Sequence, residues 1–236
     1  MARRAAFIKT LRSADALAGK IVLLSCPFEI LPDGPERKPD PKRLPAISQA
    51  LSCMAYDAGT LLPEEAAYLQ SAGAPLPSRF TVLGASPAAG TLRIAGLPIG
   101  VVYFPPSPDP TKPVPAELAA LVAQTAAGLR AATRLVVGIS PWGMADEEAF
   151  MNAHPGVLDV LLGSGPNAGT AGRVSRDGKT LWSRAYIKGK TMNRLDLLAL
   201  PAAPEFAWKP EETFKAEVVT LDDAHPADPE IQQLFQ

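Results

Sequence analysis

The chain has 236 residues, of which 47% are hydrophobic and 20% charged, a composition typical of a soluble globular protein with one large or two small domains. Its 23 basic and 24 acidic residues leave a formal net charge of −1, which gives no electrostatic reason to expect nucleic acid or an anionic membrane as a partner. No run of about 18 apolar residues predicts a membrane-spanning helix, and no signal-peptide core follows the basic N-terminus. As the chain is written, we expect it to stay in the cytoplasm.

The first half of the chain alternates between helical and extended apolar spacing. Helices are expected over Ala2–Arg12, Leu44–Ala55, Pro63–Ser71 and Pro115–Ala132, and strands over Lys20–Cys26, Tyr56–Leu61 and Phe80–Ala85. Gly90–Leu97 and Ile99–Phe104 predict a hairpin that turns across Gly96-Leu97-Pro98. The 25 prolines cluster between such segments, where their fixed φ and missing N–H favour rigid loops.

The second half continues the alternation and then becomes strand-rich. Leu135–Ser140 and Leu158–Gly163 are expected to be strands on either side of a helix over Asp146–His154. An antiparallel meander is predicted from Ala171–Val174, Leu181–Tyr186 and Arg194–Leu200, with turns at Asp177-Gly178 and Lys188-Gly189, and a late strand is expected near Glu217–Leu221. This order of elements indicates a layered α/β sandwich.

Several short motifs follow one another in the order found in one protein family. They are Met1–Lys9 with its Ala-Arg-Arg-Ala core, Lys20–Phe28, Leu51–Leu61, Val136–Gly143, Gly156–Asn167, and Gly189–Leu197 with Asn193 in place of a glycine. Together they resemble the metallophosphatase domain of UshA-like 5'-nucleotidases. The resemblance implies a calcineurin-like sandwich of two mixed β-sheets flanked by helices, with the first strand absent because it would precede Met1. It also implies a domain over residues 1–200 and an extension over residues 201–236 that packs on the same domain.

The metal ligands of that family are missing where the resemblance places them. The four segments where the resemblance expects metal ligands read Ser25-Cys26-Pro27-Phe28, Leu62-Pro63-Glu64-Glu65, Ser140-Pro141 and Gly163-Ser164-Gly165-Pro166-Asn167. A two-metal phosphatase needs clustered Asp, His and Asn ligands. The chain has only two histidines, His154 at an expected helix end and His225 in the tail, and both are expected to be structural. We therefore expect no metal, no cofactor and no catalytic residue.

The carboxyl ends of the predicted strands remain the natural place for a ligand. The candidate cleft consists of Ser25, Cys26, Glu64, Glu65, Ser140, Trp142, Ser164 and Asn167. Ordinary strand-end turns are the favoured alternative for Gly163–Gly165. Cys26 and Cys53 are expected to be two thiols rather than a disulfide, and the sequence identifies no small-molecule ligand.

Three functions are compatible with these features. The favoured one is a non-catalytic 5'-nucleotidase-like domain. The resemblance also extends to a degenerate branch with a cysteine or selenocysteine motif, which implies a redox or metal-capture protein, exported, whose reactive motif lies upstream of Met1. A divergent phosphoesterase ranks last. A missing inner strand would leave backbone groups unpaired, so a homo-oligomer is also predicted.

Overall fold

The computed structural model describes residues 1–31, 39–165, 168–186, 189–203 and 205–236. The helices are α1 (Ala2–Ser13), α2 (Leu44–Cys53), α3 (Pro63–Ser71), α4 (Ala116–Leu129), α5 (Met144–Ala153) and α6 (Pro229–Gln233). The strands are β1 (Leu24–Ser25), β2 (Ala58–Leu61), β3 (Phe80–Val82), β4 (Ala88–Ile94), β5 (Leu97–Tyr103), β6 (Leu135–Ser140), β7 (Val160–Gly163), β8 (Thr170–Val174), β9 (Leu181–Arg184), β10 (Thr191–Leu197) and β11 (Phe214–Thr220).

The chain divides into two compact units. The first comprises Met1–Val82, Ile187–Met192 and Thr220–Gln236, and the second comprises Leu83–Tyr186 and Asn193–Val219. The predicted division into residues 1–200 and 201–236 stays a prediction.

The first unit contains a parallel three-stranded sheet in the order β1-β2-β3. β1 is much shorter than the strand predicted over Lys20–Cys26. At Leu23 the backbone N–H donates to the Asp57 carboxylate at 2.8 Å instead of to a carbonyl of the neighbouring strand. A side-chain oxygen therefore takes the place of a ladder carbonyl for this N–H, and the regular strand begins only at Leu24.

The second unit contains a six-stranded mixed sheet in the order β4-β5-β6-β7-β9-β8. The four inner strands are parallel, and β4 and β8 pair antiparallel at the two edges. Every residue of β6 is buried, as expected for an inner strand covered on both faces. The core consists of Val102, Phe104, Val122, Ala126, Val136, Trp142, Phe150, Met151, Leu158, Leu161 and Trp182.

Most predicted elements lie where the spacing placed them, and the α/β class with helix-flanked sheets is confirmed. The hairpin turn falls at Ala95-Gly96, where both residues have positive φ, one residue earlier than predicted. The predicted meander is wrong in its last strand, because β10 pairs with β11 and not with β9. Helix α6 was not expected. The predicted Lys188-Gly189 turn has Lys188 outside the described residues.

Across the described parts of the chain, no helix has the length and apolar character needed to cross a membrane.

Replacing Leu161 by Ala tests the core of the second unit. Leu161 is fully buried in β7, so we expect the free energy of unfolding to fall by about 2–5 kcal/mol through lost burial and a residual cavity. Leu121→Ala is the matched control because that side chain is 48% exposed on α4, and its effect should stay within about 0.5 kcal/mol. Urea unfolding measures both, and equal losses would contradict this assignment of the core.

Candidate functional site

Three strands of the second unit end side by side at their carboxyl ends. Ser140 ends β6 opposite Gly163, which ends β7, and Gly163 lies opposite Arg184, which ends β9. The short connection Pro141–Gly143 then leads into α5, whose first turn contains Glu147. This connection places an acidic side chain over the ends of the strands.

A buried ion pair covers the carboxyl ends of these three strands. The Arg184 guanidinium contacts the Glu147 carboxylate, and both side chains are 0% exposed. The indole N–H of Trp182 donates to the same Glu147 oxygen at 2.8 Å. Gly163 lies directly beneath, and a Cβ there would stand 2.1 Å from Glu147 Oε2. Only glycine therefore leaves room for the carboxylate.

Backbone carbonyls and one amide hold Arg184 in place. Its guanidinium donates to the carbonyls of Ser164 at 2.9 Å and Ala168 at 3.4 Å. The Asn193 amide donates to the Arg184 carbonyl at 2.7 Å and to the Thr170 carbonyl at 2.8 Å, which joins β8 to β9. Asn193, which stands where the family resemblance expects a glycine, thus supports the strand that carries Arg184.

Glu147 experiences opposing electrostatic effects. Burial raises the pKa of Glu147, while Arg184, Trp182 and Ser140 act to lower it. Its second oxygen, Oε1, is buried and has no hydrogen-bond partner among the described residues. The carboxylate is thus tied to its neighbours on one side only.

The predicted cleft residues of the second unit are part of its packed interior. Ser140 and Ser164 are buried, and the Ser164 hydroxyl donates to the Ser140 carbonyl at 3.0 Å. Trp142 packs against Phe104 with ring centroids 4.7 Å apart, and its indole N–H donates to the Pro105 carbonyl at 2.6 Å. Asn167 lies outside the described residues. None of the three described side chains offers an open surface for a ligand.

In the first unit, the end of β1 leads to a second ion pair. Ser25 is buried, and its hydroxyl donates to Glu29 at 3.0 Å. Glu29 in turn accepts from the buried Arg4 through both oxygens, at 2.8 and 2.7 Å. Arg4 also donates to the Tyr56 hydroxyl at 3.2 Å. Burial raises the pKa of Tyr56 to about 12, and Arg4 opposes this effect. Cys26, beside this cluster, is half-buried.

Glu64 and Glu65 are neighbours with different roles. Glu64 is exposed at the start of α3, whereas the buried Glu65 carboxylate accepts backbone N–H groups. Its donors are Leu62 at 2.9 Å, Phe28 at 3.1 Å and Ile30 at 2.8 Å. Phe28 has a positive φ of 73°, and this hydrogen bond holds the unusual backbone in place. Glu65 is therefore a support of the loop after β1.

These residues do not fit a binuclear metal centre. The described parts of the chain contain no group of three or more His, Cys, Asp or Glu side chains that could hold a metal ion. At the edge where β6, β7 and β9 end, the guanidinium already supplies the positive charge that Glu147 faces. His154 ends α5, as predicted, and His225 lies 3.3 Å from Asp222 in the tail.

The cleft residues predicted from the sequence fall in both units. Ser25, Cys26, Glu64 and Glu65 belong to the first unit, and Ser140, Trp142 and Ser164 to the second. That they line one cleft stays a prediction. Sequence reasoning missed Arg4, Glu29, Glu147 and Arg184. The available signal was a charged residue inside or beside an otherwise apolar segment, as in the strand containing Arg184.

Removing one partner of the Glu147–Arg184 pair should be costly. Arg184→Met leaves the Glu147 carboxylate buried without its cation, so we expect a loss of about 3–5 kcal/mol in the free energy of unfolding. The double variant Glu147→Gln/Arg184→Met should lose less than the sum of its single variants, because neither member leaves a buried charge. Arg194→Met is the control, since its pair with Asp196 is partly exposed and is worth at most about 1 kcal/mol. Strict additivity in urea unfolding would refute the coupling.

Glu65 should give the first unit a distinctive pH dependence. Burial raises the pKa of Glu65 from its ordinary 4.5, so the folded chain holds this proton more strongly than the unfolded chain. Its contribution to stability is fully present below the ordinary pKa and is lost as pH rises through the raised value. Urea unfolding from about pH 4 to about pH 8 should therefore show the wild type losing stability relative to Glu65→Gln. Glu64→Gln, at the exposed neighbour, should show no such slope; equal slopes in both variants would count against this assignment.

No protein-family model and no curated protein matches the chain. Solved structures do match it. The NAD nucleotidase NadN of Haemophilus influenzae aligns with 99% of this chain and 55% of its own, at a TM-score of 0.61 and 11% identity. The 5'-nucleotidase of Candida albicans SC5314 aligns with 98% of this chain and 52% of its own, at a TM-score of 0.59 and 10% identity. The chain thus spans about half the length of these structures, and at these identities the similarity shows that it has a 5'-nucleotidase-like fold.

Proposed function

We propose that this chain is a non-catalytic 5'-nucleotidase-like domain that does not hydrolyse phosphate esters. The observation that carries the proposal is the ion pair between Glu147 and Arg184, which is fully buried where β6, β7 and β9 end. In open α/β sheets this end of the strands is where ligands bind. Here two side chains and the packing around them fill it.

The chemistry supports the same proposal. Two-metal phosphate hydrolysis uses ions about 3.5–4 Å apart to stabilise the attacking and leaving oxygens. Proline and glycine have no side-chain lone pair, and they stand at Pro141 and Gly165, where the resemblance expects histidine ligands. A guanidinium is a permanent cation, so it repels a divalent ion placed beside it.

The finer assignment belongs to this proposal as well. We assign the chain to a degenerate UshA-like branch, on the order of its motifs from Met1–Lys9 to Gly189–Leu197.

The proposal predicts no metal-dependent turnover. The purified chain is incubated with Mn²⁺ or Zn²⁺ and with 5'-AMP or p-nitrophenyl phosphate, and phosphate release is compared with a metal-only blank. We expect equal rates, and bound metal measured by mass spectrometry should stay well below one ion per chain. About two bound ions per chain together with metal-dependent release would overturn the proposal.

Arg184→Met separates intrinsic activity from a contaminant. Arg184 lies at the end of the strands, so any hydrolysis by this chain should change in rate when the guanidinium is removed. Activity that is identical in wild type and variant comes from another protein in the preparation.

A further inference from the structure

A pocket lies at the opposite end of the same strands, where β7 and β9 begin. Its volume is about 530 Å³, within the range of small-molecule sites. It lies entirely in the second unit and is lined by residues from the C-terminal end of α4, the α5–β7 connection, the β8–β9 turn and the segment after β10. None of its residues takes part in the Glu147–Arg184 pair, so the pocket is independent of the proposed loss of hydrolysis.

Two cationic side chains converge in this pocket. The Arg130 guanidinium donates to the Gly156 carbonyl at 3.0 Å. The Lys179 stem approaches the same residue, since a Cβ on Gly156 would lie 3.7 Å from both Cβ and Cγ of Lys179. The Lys179 ammonium donates to the Phe206 carbonyl at 2.7 Å. Both side chains are therefore fixed by the backbone before any ligand arrives, which lowers the entropic cost of binding.

The two acidic side chains of the pocket differ in their access to a ligand. Asp159 is 5% exposed, and its carboxylate contacts Arg130 at 2.5 Å and the Val136 N–H at 2.7 Å, whereas Arg130 is 35% exposed. A ligand in the pocket can thus reach the guanidinium but not the carboxylate behind it. Asp177 is exposed on the β8–β9 turn, where it accepts the Lys179 N–H at 3.1 Å.

Apolar groups form the remaining wall. Phe206 is half-buried, and its ring meets the Trp208 ring edge to face at 5.0 Å. Trp208 anchors this segment, because its indole N–H donates to the Asp159 carbonyl at 2.9 Å. This hydrogen bond ties Trp208 to the sheet, and Phe206 lines the pocket together with the two cationic side chains.

We infer that this pocket binds a small organic anion, with its acidic group between Arg130 and Lys179 and a flat apolar body against Phe206. A guanidinium and an ammonium together recognise a carboxylate or a similar oxyanion. The aromatic ring supplies the apolar contact that fixes the rest of the molecule.

Three probes of one shape test the charge preference. Benzoate, benzamide and benzamidine share a phenyl ring and carry a negative, zero and positive charge. Titrations of the ¹⁵N-labelled chain followed by NMR should show benzoate binding about tenfold more tightly than benzamidine, with benzamide between them. Shifts should concentrate at Gly156, Lys179 and Phe206. Equal affinities, or no binding of benzoate at millimolar concentration, would overturn the inference.

Two variants locate the site without relying on a loss of fold. Lys179→Met should weaken benzoate about tenfold, whereas Lys112→Met, at a lysine that is 75% exposed and outside the pocket, should not change it. Asp177→Asn should strengthen benzoate about threefold, because it removes an exposed negative charge and keeps the side-chain acceptor. A gain cannot arise from unfolding. Unchanged affinity in Asp177→Asn together with Lys179→Met would refute the site.

Discussion

The ion pair between Glu147 and Arg184 is the interaction on which the carboxyl end of the larger sheet depends. Both charges are removed from water, so each requires the other, and loss of either leaves a buried ion. Their presence dictates the residues nearby. Gly163 must lack a side chain, Trp182 must present its N–H, and the Ser164 carbonyl must turn toward the guanidinium. These neighbouring groups are therefore all committed to the buried ion pair.

Acidic side chains also complete the backbone hydrogen bonding of both units. Asp57 accepts from Leu23, Glu65 from three N–H groups including Phe28, and Asp159 from Val136. Buried backbone N–H groups need a partner, and the ends of short strands leave some without one. Carboxylates are strong acceptors for this purpose. Glu65, a candidate cleft residue in the sequence, is therefore committed to holding a loop, as Asp57 and Asp159 are to holding strand ends.

The sequence predicts the elements well and their long-range pairing poorly. Apolar spacing placed α3 and β6 at their observed bounds, because helices and buried strands are specified by local patterns. The pairing of β10 with β11 joins segments separated by a long loop, and no local pattern encodes it. The Glu147–Arg184 pair is of the same kind, since it joins α5 to β9, the third element after it along the chain. The residues at the positions where the resemblance expects metal ligands could be seen in the sequence, whereas the pairing of Glu147 with Arg184 required the structure.

The carboxyl and amino ends of the inner strands of the larger sheet differ in a way that bears on function. At the carboxyl ends, the charges of Glu147 and Arg184 are paired with each other and buried, so they interact with each other and not with a ligand. At the amino ends, Arg130 donates to the Gly156 carbonyl and Lys179 to the Phe206 carbonyl, while the carboxylate of Asp159 pairs with the guanidinium and is itself buried. Charge that is positioned but still accessible is what a ligand can use, and charge that is buried in a pair is not. Within the second unit, we therefore propose ligand binding at the end of the strands opposite to the Glu147–Arg184 pair.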